Sequence, residues 1–214
     1  MILYSYFRSS AAYRVRIGLN LKGLAYHIEP VHLLQDGGQQ HQPGYAQLNP
    51  AELVPTLVDQ GQTITQSLAI LEYLEERYPQ APLLPVDPVQ RAWARSMALA
   101  VACDIHPLNN LRVLQYLKRE LHVPDPERDA WYRHWVAAGF HGLEALVQRH
   151  RDGRHFIFGD QPGMAEACLI PQLFNARRLE CDLAPYPTLL AIEEKCLELS
   201  AFQEAAPERQ IDAA

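Results

Sequence analysis

The sequence predicts an α/β domain of βαβ-ββα order followed by an all-α domain. Three observations carry this. Short strand-like segments alternate with amphipathic helical ones up to Tyr78. Four prolines then fall between Pro79 and Pro88, and beyond them only helical periodicity recurs. The expected division is residues 1–78 as the α/β domain, 79–87 as a linker, and 88–214 as the helical domain.

Ile2 to Tyr6 reads as the first strand. The helical stretch after Ser9-Ser10 carries Val15, Ile17, Leu19 and Leu21, has Lys22 in its last turn, and is ended by Gly23. Tyr26 to His32 is a second strand, parallel to the first because a helix joins them. Gln35 to Gly44 is a polar Gly-rich loop of the kind that carries binding residues. Val54–Asp59 and Gln62–Thr65 form a hairpin closed at Asp59-Gln60-Gly61, with Pro55 at a strand start where no ladder bond is lost. Leu68 to Tyr78 is a helix with Leu68, Leu71 and Leu74 inward and Glu72, Glu75 and Glu76 outward.

In the second domain, one helix is expected from Val89 to at least Tyr116, kinked at Pro107, where a backbone hydrogen bond is lost. Others are expected over Ala130–His150, Met164–Leu179 and Thr188–Leu199, followed by a polar tail. Met164–Leu179 is apolar on all sides and is expected to be buried.

A formal charge of −6 argues against a general nucleic-acid partner. No apolar run reaches the ~20 residues that span a bilayer. The chain opens directly on a strand, without a charged leader, so a cytoplasmic protein is expected. The four cysteines form no Cys-x-x-Cys pair and the nine histidines no His-x-x-x-His pair, so no metal site is expected. Cysteines in apolar helical patterns read as buried free thiols.

Ser9 and Ser10 sit where a strand ends and a helix begins. There the first helical N–H groups lack partners and the dipole is positive. The position suits an anion, including a thiolate, and equally suits a simple N-cap. Gln66-Ser67 poses the same alternatives at a second helix start. His106 and Asn110, spaced i, i+4 with Asn109 beside them, would share one helical face. Arg offers bidentate recognition of carboxylates that Lys does not, although singly each arginine is more often a surface charge; Arg14 and Arg16 read as structural.

Arg8-Ser9-Ser10 followed by Tyr13-Arg14-Val15-Arg16-Ile17 resembles the signature of zeta-class glutathione transferases. Val54-Pro55-Thr56, Gln66-Ser67-Leu68-Ala69-Ile70, Cys103-Asp104-Ile105-His106-Pro107 and Pro185-Tyr186-Pro187 resemble that family too, in its order and over nearly the whole chain. The resemblance implies the cytosolic glutathione transferase architecture, a thioredoxin-like domain plus a helical bundle, and a homodimer. Two positions depart from the signature: its cysteine falls on Ala11 and its tryptophan on Tyr13. A Ser/Thr-x-x-Asp cap usual in the second domain reads Gly163-Met-Ala-Glu166, which implies a somewhat weaker helix start.

Such proteins are typically maleylacetoacetate isomerases, with a bacterial branch of maleylpyruvate isomerases; both use glutathione as cofactor. The resemblance assigns the glutathione sulfur to Ser9, assisted by Ser10 and Arg8. The γ-glutamyl carboxylate falls to Gln66 and Ser67, the cysteinyl backbone to Val54, and the glycyl end to Gln40. His106, Asn109 and Asn110 face the cofactor, while Arg8, Arg112 and Arg178 hold the dicarboxylate substrate. The implied reaction adds the thiolate to the conjugated alkene, allows rotation, and eliminates it to leave the trans isomer. Maleylacetoacetate is the first expectation; Ala11 and Arg112 keep maleylpyruvate close behind. A non-catalytic glutathione-binding module is a further alternative. Retention of Arg8, Ser9, Gln66, Ser67 and Arg178 together argues against it.

Overall fold

The computed structural model describes residues 1–151 and 153–213. It divides into two compact units, residues 1–84 with 197–214 and residues 85–196.

Unit 1 is built on a four-stranded sheet, β1 (Ile2–Ser5), β2 (His27–Pro30), β3 (Thr56–Asp59) and β4 (Gln62–Thr65), in the order β2-β1-β3-β4. β1 and β2 are parallel, as the intervening helix α1 (Ser10–Leu21) requires. The β1–β3 and β3–β4 pairs are antiparallel. Leu3 and Leu57 face helices α1 and α3 (Ser67–Arg77), whose Val15, Leu19, Ile70 and Leu74 complete a dry core. α1 lies so close to α3 that a Cβ on Gly18 would collide with the Leu71 side chain. Larger residues at 18 would push the helices apart.

The 35–44 segment is more ordered than a polar loop. Two 3₁₀ turns, Gln35–Gly37 and Gln39–His41, precede a short helix, α2 (Pro43–Leu48), with proline in its first turn. The Val54–Pro55 peptide bond is cis, and the strand begins one residue later, at Thr56.

The tail differs from the expected division, which placed all residues after 87 in the helical domain. α9 (Ser200–Ala205) packs on α1, where Arg16 Nε donates to the Ala205 carbonyl at 2.9 Å and Asn20 Nδ2 to that of Ala201 at 3.0 Å. Farther on, the Asp212 carboxylate accepts the Phe7 N–H at 2.9 Å. These hydrogen bonds from buried and half-buried groups of the first domain hold the end of the chain to it.

In unit 2 the single kinked helix expected through Pro107 is three pieces. α4 (Pro88–Leu99) is capped by Asp87, runs into a π-helical segment at Ala100–Ile105, and stops. A turn follows, and α5 (Leu111–Arg119) starts afresh on the side chain of Asn110. A new cap satisfies donors that a helix continued through proline would leave open. The turn is tied to α6 (Asp125–His150) by Trp131 Nε1 donating to Leu108 O and by Asn109 Nδ2 donating to Tyr132 O.

α7 (Met164–Arg178) is buried over most of its surface. Gly163 has no side chain with which to cap it. Buried Glu166 instead accepts the N–H groups of Gly163 and Ile157, each at 2.8 Å, and burial raises its pKa. Glu144 likewise accepts the Thr188 and Leu189 N–H groups at the start of α8 (Pro187–Leu197). Of the four free cysteines, Cys168 and Cys196 are buried, Cys181 is half-buried and Cys103 is exposed. Among the described residues no helix is long and apolar enough to cross a membrane, and no cluster of His, Cys, Asp and Glu could hold a metal.

Candidate active site

Ser9 is the N-cap of α1, with extended backbone, and its Oγ accepts the Ala12 N–H at 3.2 Å. That bond uses a lone pair and leaves the hydroxyl hydrogen for another acceptor. Ser9 is half-buried, whereas Ser10, the first helical residue, is buried. The turn that presents them is braced from behind. Arg16, fully buried, donates from Nη2 to Phe7 O at 3.1 Å and from Nη1 to Ser5 Oγ at 3.1 Å, in addition to its bond to Ala205. Burial lowers its pKa to about 10, which still leaves it cationic at neutral pH. Arg8 is exposed, with its guanidinium 4.9 Å from the centre of the Phe7 ring.

Gln66 precedes α3 with φ +70°, a left-handed conformation costly for a residue with a side chain. Ser67 is buried and its Oγ accepts from Arg14 Nη1 at 3.3 Å. Arg14, itself buried on α1, thereby links the starts of α1 and α3. Arg14 thus bonds Ser67 of the predicted site itself, and Arg16 bonds Ser5 and Phe7 just ahead of Ser9.

Val54 belongs to the second apolar cluster of unit 1, with Tyr6, Phe7, Val31 and Tyr45. Its position is set by a network the sequence reading passed over. Tyr45 Oη and Asn49 Nδ2 both donate to the Leu53 carbonyl, at 2.6 and 2.7 Å, and both meet Thr56 Oγ1. Burial raises the Tyr45 pKa, so its hydroxyl remains a donor. Among the described residues neither backbone polar group of Val54 is hydrogen-bonded. The only signal for this network was Asn49-Pro50, a turn-forming pair whose side-chain role no periodicity reveals.

Gln40 is buried, its Nε2 lies 2.9 Å from His41 Nε2, and its Oε1 has no partner. In unit 2, Asn110 Nδ2 is 3.3 Å from His106 Nε2, and Asn110 Oδ1 accepts the Arg112 N–H. The pair therefore meets across a turn rather than on one continuous helical face. Asn109 points to α6, leaving Oδ1 buried without a partner. Arg112, at the start of α5, is exposed. Arg177 is held by Glu193, while Arg178, exposed at the end of α7, has no ion pair among the described residues. The charge of Arg178 acts on the Tyr132 hydroxyl, whose pKa burial nevertheless raises to about 12.

Unit 1 thus holds two helix starts, a residue with both backbone polar groups unpaired and a buried glutamine, the parts of a site for a small anionic peptide. The family model for the glutathione S-transferase N-terminal domain matches residues 3–82, and that for the C-terminal domain matches residues 129–195. The chain belongs to the glutathione S-transferase family. Within it, the chain is of the zeta class. It is 49% identical, over 100% of its length and 98% of the relative's, to a probable maleylacetoacetate isomerase of Vibrio cholerae. It superposes with a TM-score of 0.96, at 42% identity and covering 100% of both chains, on the holo structure of a maleylpyruvate isomerase described as a bacterial zeta-class enzyme. A maleylacetoacetate isomerase from Anaeromyxobacter dehalogenans, solved with glutathione in its active site, is 45% identical with a TM-score of 0.88, covering 100% of this chain and 97% of that one.

Proposed function

We propose that this protein is a glutathione-dependent cis–trans isomerase that converts maleylacetoacetate to fumarylacetoacetate. The observation that carries the reading is the Ser9 cap of α1, whose free hydroxyl hydrogen stands at a positive helix end in a chain that matches such isomerases from end to end.

The residues present fit glutathione. Val54 offers an unpaired N–H and C=O to an extended peptide, strained Gln66 and Ser67 stand at a helix start suited to a carboxylate, and Gln40 has an orphaned buried oxygen. When bound, glutathione supplies the thiolate that adds reversibly to the conjugated double bond and so permits rotation. Ser9 donates its hydroxyl hydrogen to the sulfur, and the α1 terminus adds positive potential. Ser10 supports the helix start. Val54 aligns the cysteinyl backbone, and Gln66 and Ser67 take the γ-glutamyl carboxylate. His106, Asn109 and Asn110 are read as cofactor residues on the family's pattern. Arg8, Arg112 and Arg178 receive substrate carboxylates and stabilise charge that develops during addition. With alanine at position 11, no step uses a protein thiol. The protein is read as cytoplasmic and homodimeric, on the family's organisation.

A second reading, maleylpyruvate isomerase, is favoured by Ala11, by Arg112 and by the match to the holo structure. Absorbance assays of both diacids distinguish the two. Higher kcat/KM for maleylacetoacetate is expected, and a reversed order would overturn the first reading. Arg112→Leu should lower maleylpyruvate turnover about tenfold, the size of a lost hydrogen bond to a charged group.

A further inference from the structure

His41 and Glu52 have no part in the assignments above, yet they stand directly behind Gln40. We infer that the Glu52–His41 pair is a positioning relay that fixes the Gln40 carboxamide and thereby tunes affinity for the glycyl end of glutathione; this rests on the cofactor reading above.

His41 Nδ1 meets the Glu52 carboxylate, and His41 Nε2 meets the Gln40 amide nitrogen. A carboxylate only accepts, so Nδ1 carries a hydrogen. In the neutral imidazole this leaves Nε2 as acceptor for a Gln40 amide hydrogen, and the amide is held in one sense. The floor beneath it is Gly38, at φ +101°, where a Cβ would stand 2.6 Å from Gln40 Nε2. The amide is therefore fixed on two sides, while its Oε1 remains buried without a partner.

The side chains of His41 and Glu52 are 56% and 41% exposed. An ion pair in that setting contributes little to stability, so orienting Gln40 is the more substantial consequence of the contact. Glu52 also adopts φ +55° in the 49–55 loop, directly before Leu53, whose carbonyl is pinned by Tyr45 and Asn49, and before Val54. The relay thus joins the loop of Gln40 to the loop of Val54.

Calorimetry with glutathione and with γ-glutamylcysteine, which lacks the glycyl residue, tests this on the full chain. His41→Phe should weaken glutathione binding about fivefold, as expected for one hydrogen bond set loose, and leave γ-glutamylcysteine unchanged. Glu52→Gln should weaken glutathione binding to a smaller degree, again leaving γ-glutamylcysteine unchanged, and unchanged thermal melting establishes that both variants are folded. Equal weakening of both peptides, or no change in either, would overturn the inference. Wild-type protein that binds neither peptide would instead overturn the cofactor reading, and the inference with it.

Discussion

Ser9→Ala is expected to lower isomerase turnover by about 10- to 100-fold while keeping most of the affinity for glutathione. The size follows from what the hydroxyl is asked to do. A free thiol with a pKa near ~8.5 is only a few per cent ionised at pH 7, and a shift of ~2 units requires about 2.7 kcal/mol. A helix terminus contributes ~0.3–1 kcal/mol, up to ~2, and a hydrogen bond to an ionised group about 1.5–3 kcal/mol. The two together suffice without a base. Removing Oγ also frees the Ala12 N–H that it caps, which weakens the helix end further. Affinity should persist because Gln66, Ser67, Val54 and Gln40 are proposed to engage other parts of the tripeptide. Steady-state kinetics with parallel calorimetry give both readouts. Unchanged turnover would move the role to Ser10.

Arg16→Leu is expected to be the most damaging substitution for stability in unit 1, by about 3–5 kcal/mol. Leucine fills part of the volume but strands Ala205 O, Ser5 Oγ and Phe7 O, at about 1–3 kcal/mol for each buried polar group left unsatisfied. These acceptors share one site, so the losses do not simply add. A fall in Tm of roughly 10 °C should follow for a chain of this size. Arg16 folds with its pKa at about 10, below its ordinary value, so burial of the charge opposes folding at all pH values below about 10. That penalty eases only as pH rises above about 10 towards the unfolded value. The hydrogen bonds must therefore outweigh the penalty across the neutral range, and the leucine variant should be less stable throughout it. Thermal melting of Arg16→Leu within 2 °C of the wild type would contradict this.

The α/β domain was legible because its elements announce themselves locally. Short apolar runs mark β1 and β3, Gly23 closes α1, and Asp59-Gln60-Gly61 turns the hairpin. Helix α2 was hidden because Pro43-Gly44 reads as loop chemistry, although proline at the first helical turn is also a start signal. The break between Ala100 and Asn110 was read as a kink because apolar residues continue through it; the π-helical segment and the Asn110 cap depend on contacts with α6. The attachment of residues 197–214 to the first domain rests on Arg16, Asn20 and Phe7, bonds spanning most of the chain that no local pattern encodes.

The candidate site divides along the same line. Ser9, Ser10, Gln66 and Ser67 sit at helix starts, and helix starts are visible in sequence. The residues behind them, Arg14 and Arg16 on α1, and the Tyr45–Asn49–Thr56 network that sets Val54 carry no local signature of that work. Their work lies in hydrogen bonds between segments far apart in the chain. His41 escaped for a further reason: beside Gln40 in a polar loop it looks like a solvated side chain, and only its partners at both ring nitrogens set it apart.

The central claim is that the reactive sulfur arrives with the cofactor, Ala11 having taken the place of the family's cysteine. Isomerisation of maleylacetoacetate followed by absorbance, with wild-type protein dialysed free of thiols and then titrated with glutathione, tests it most directly. Turnover should be absent at the start, rise with glutathione to saturation, and fail to appear with S-methylglutathione. Equal rates with and without glutathione would contradict it.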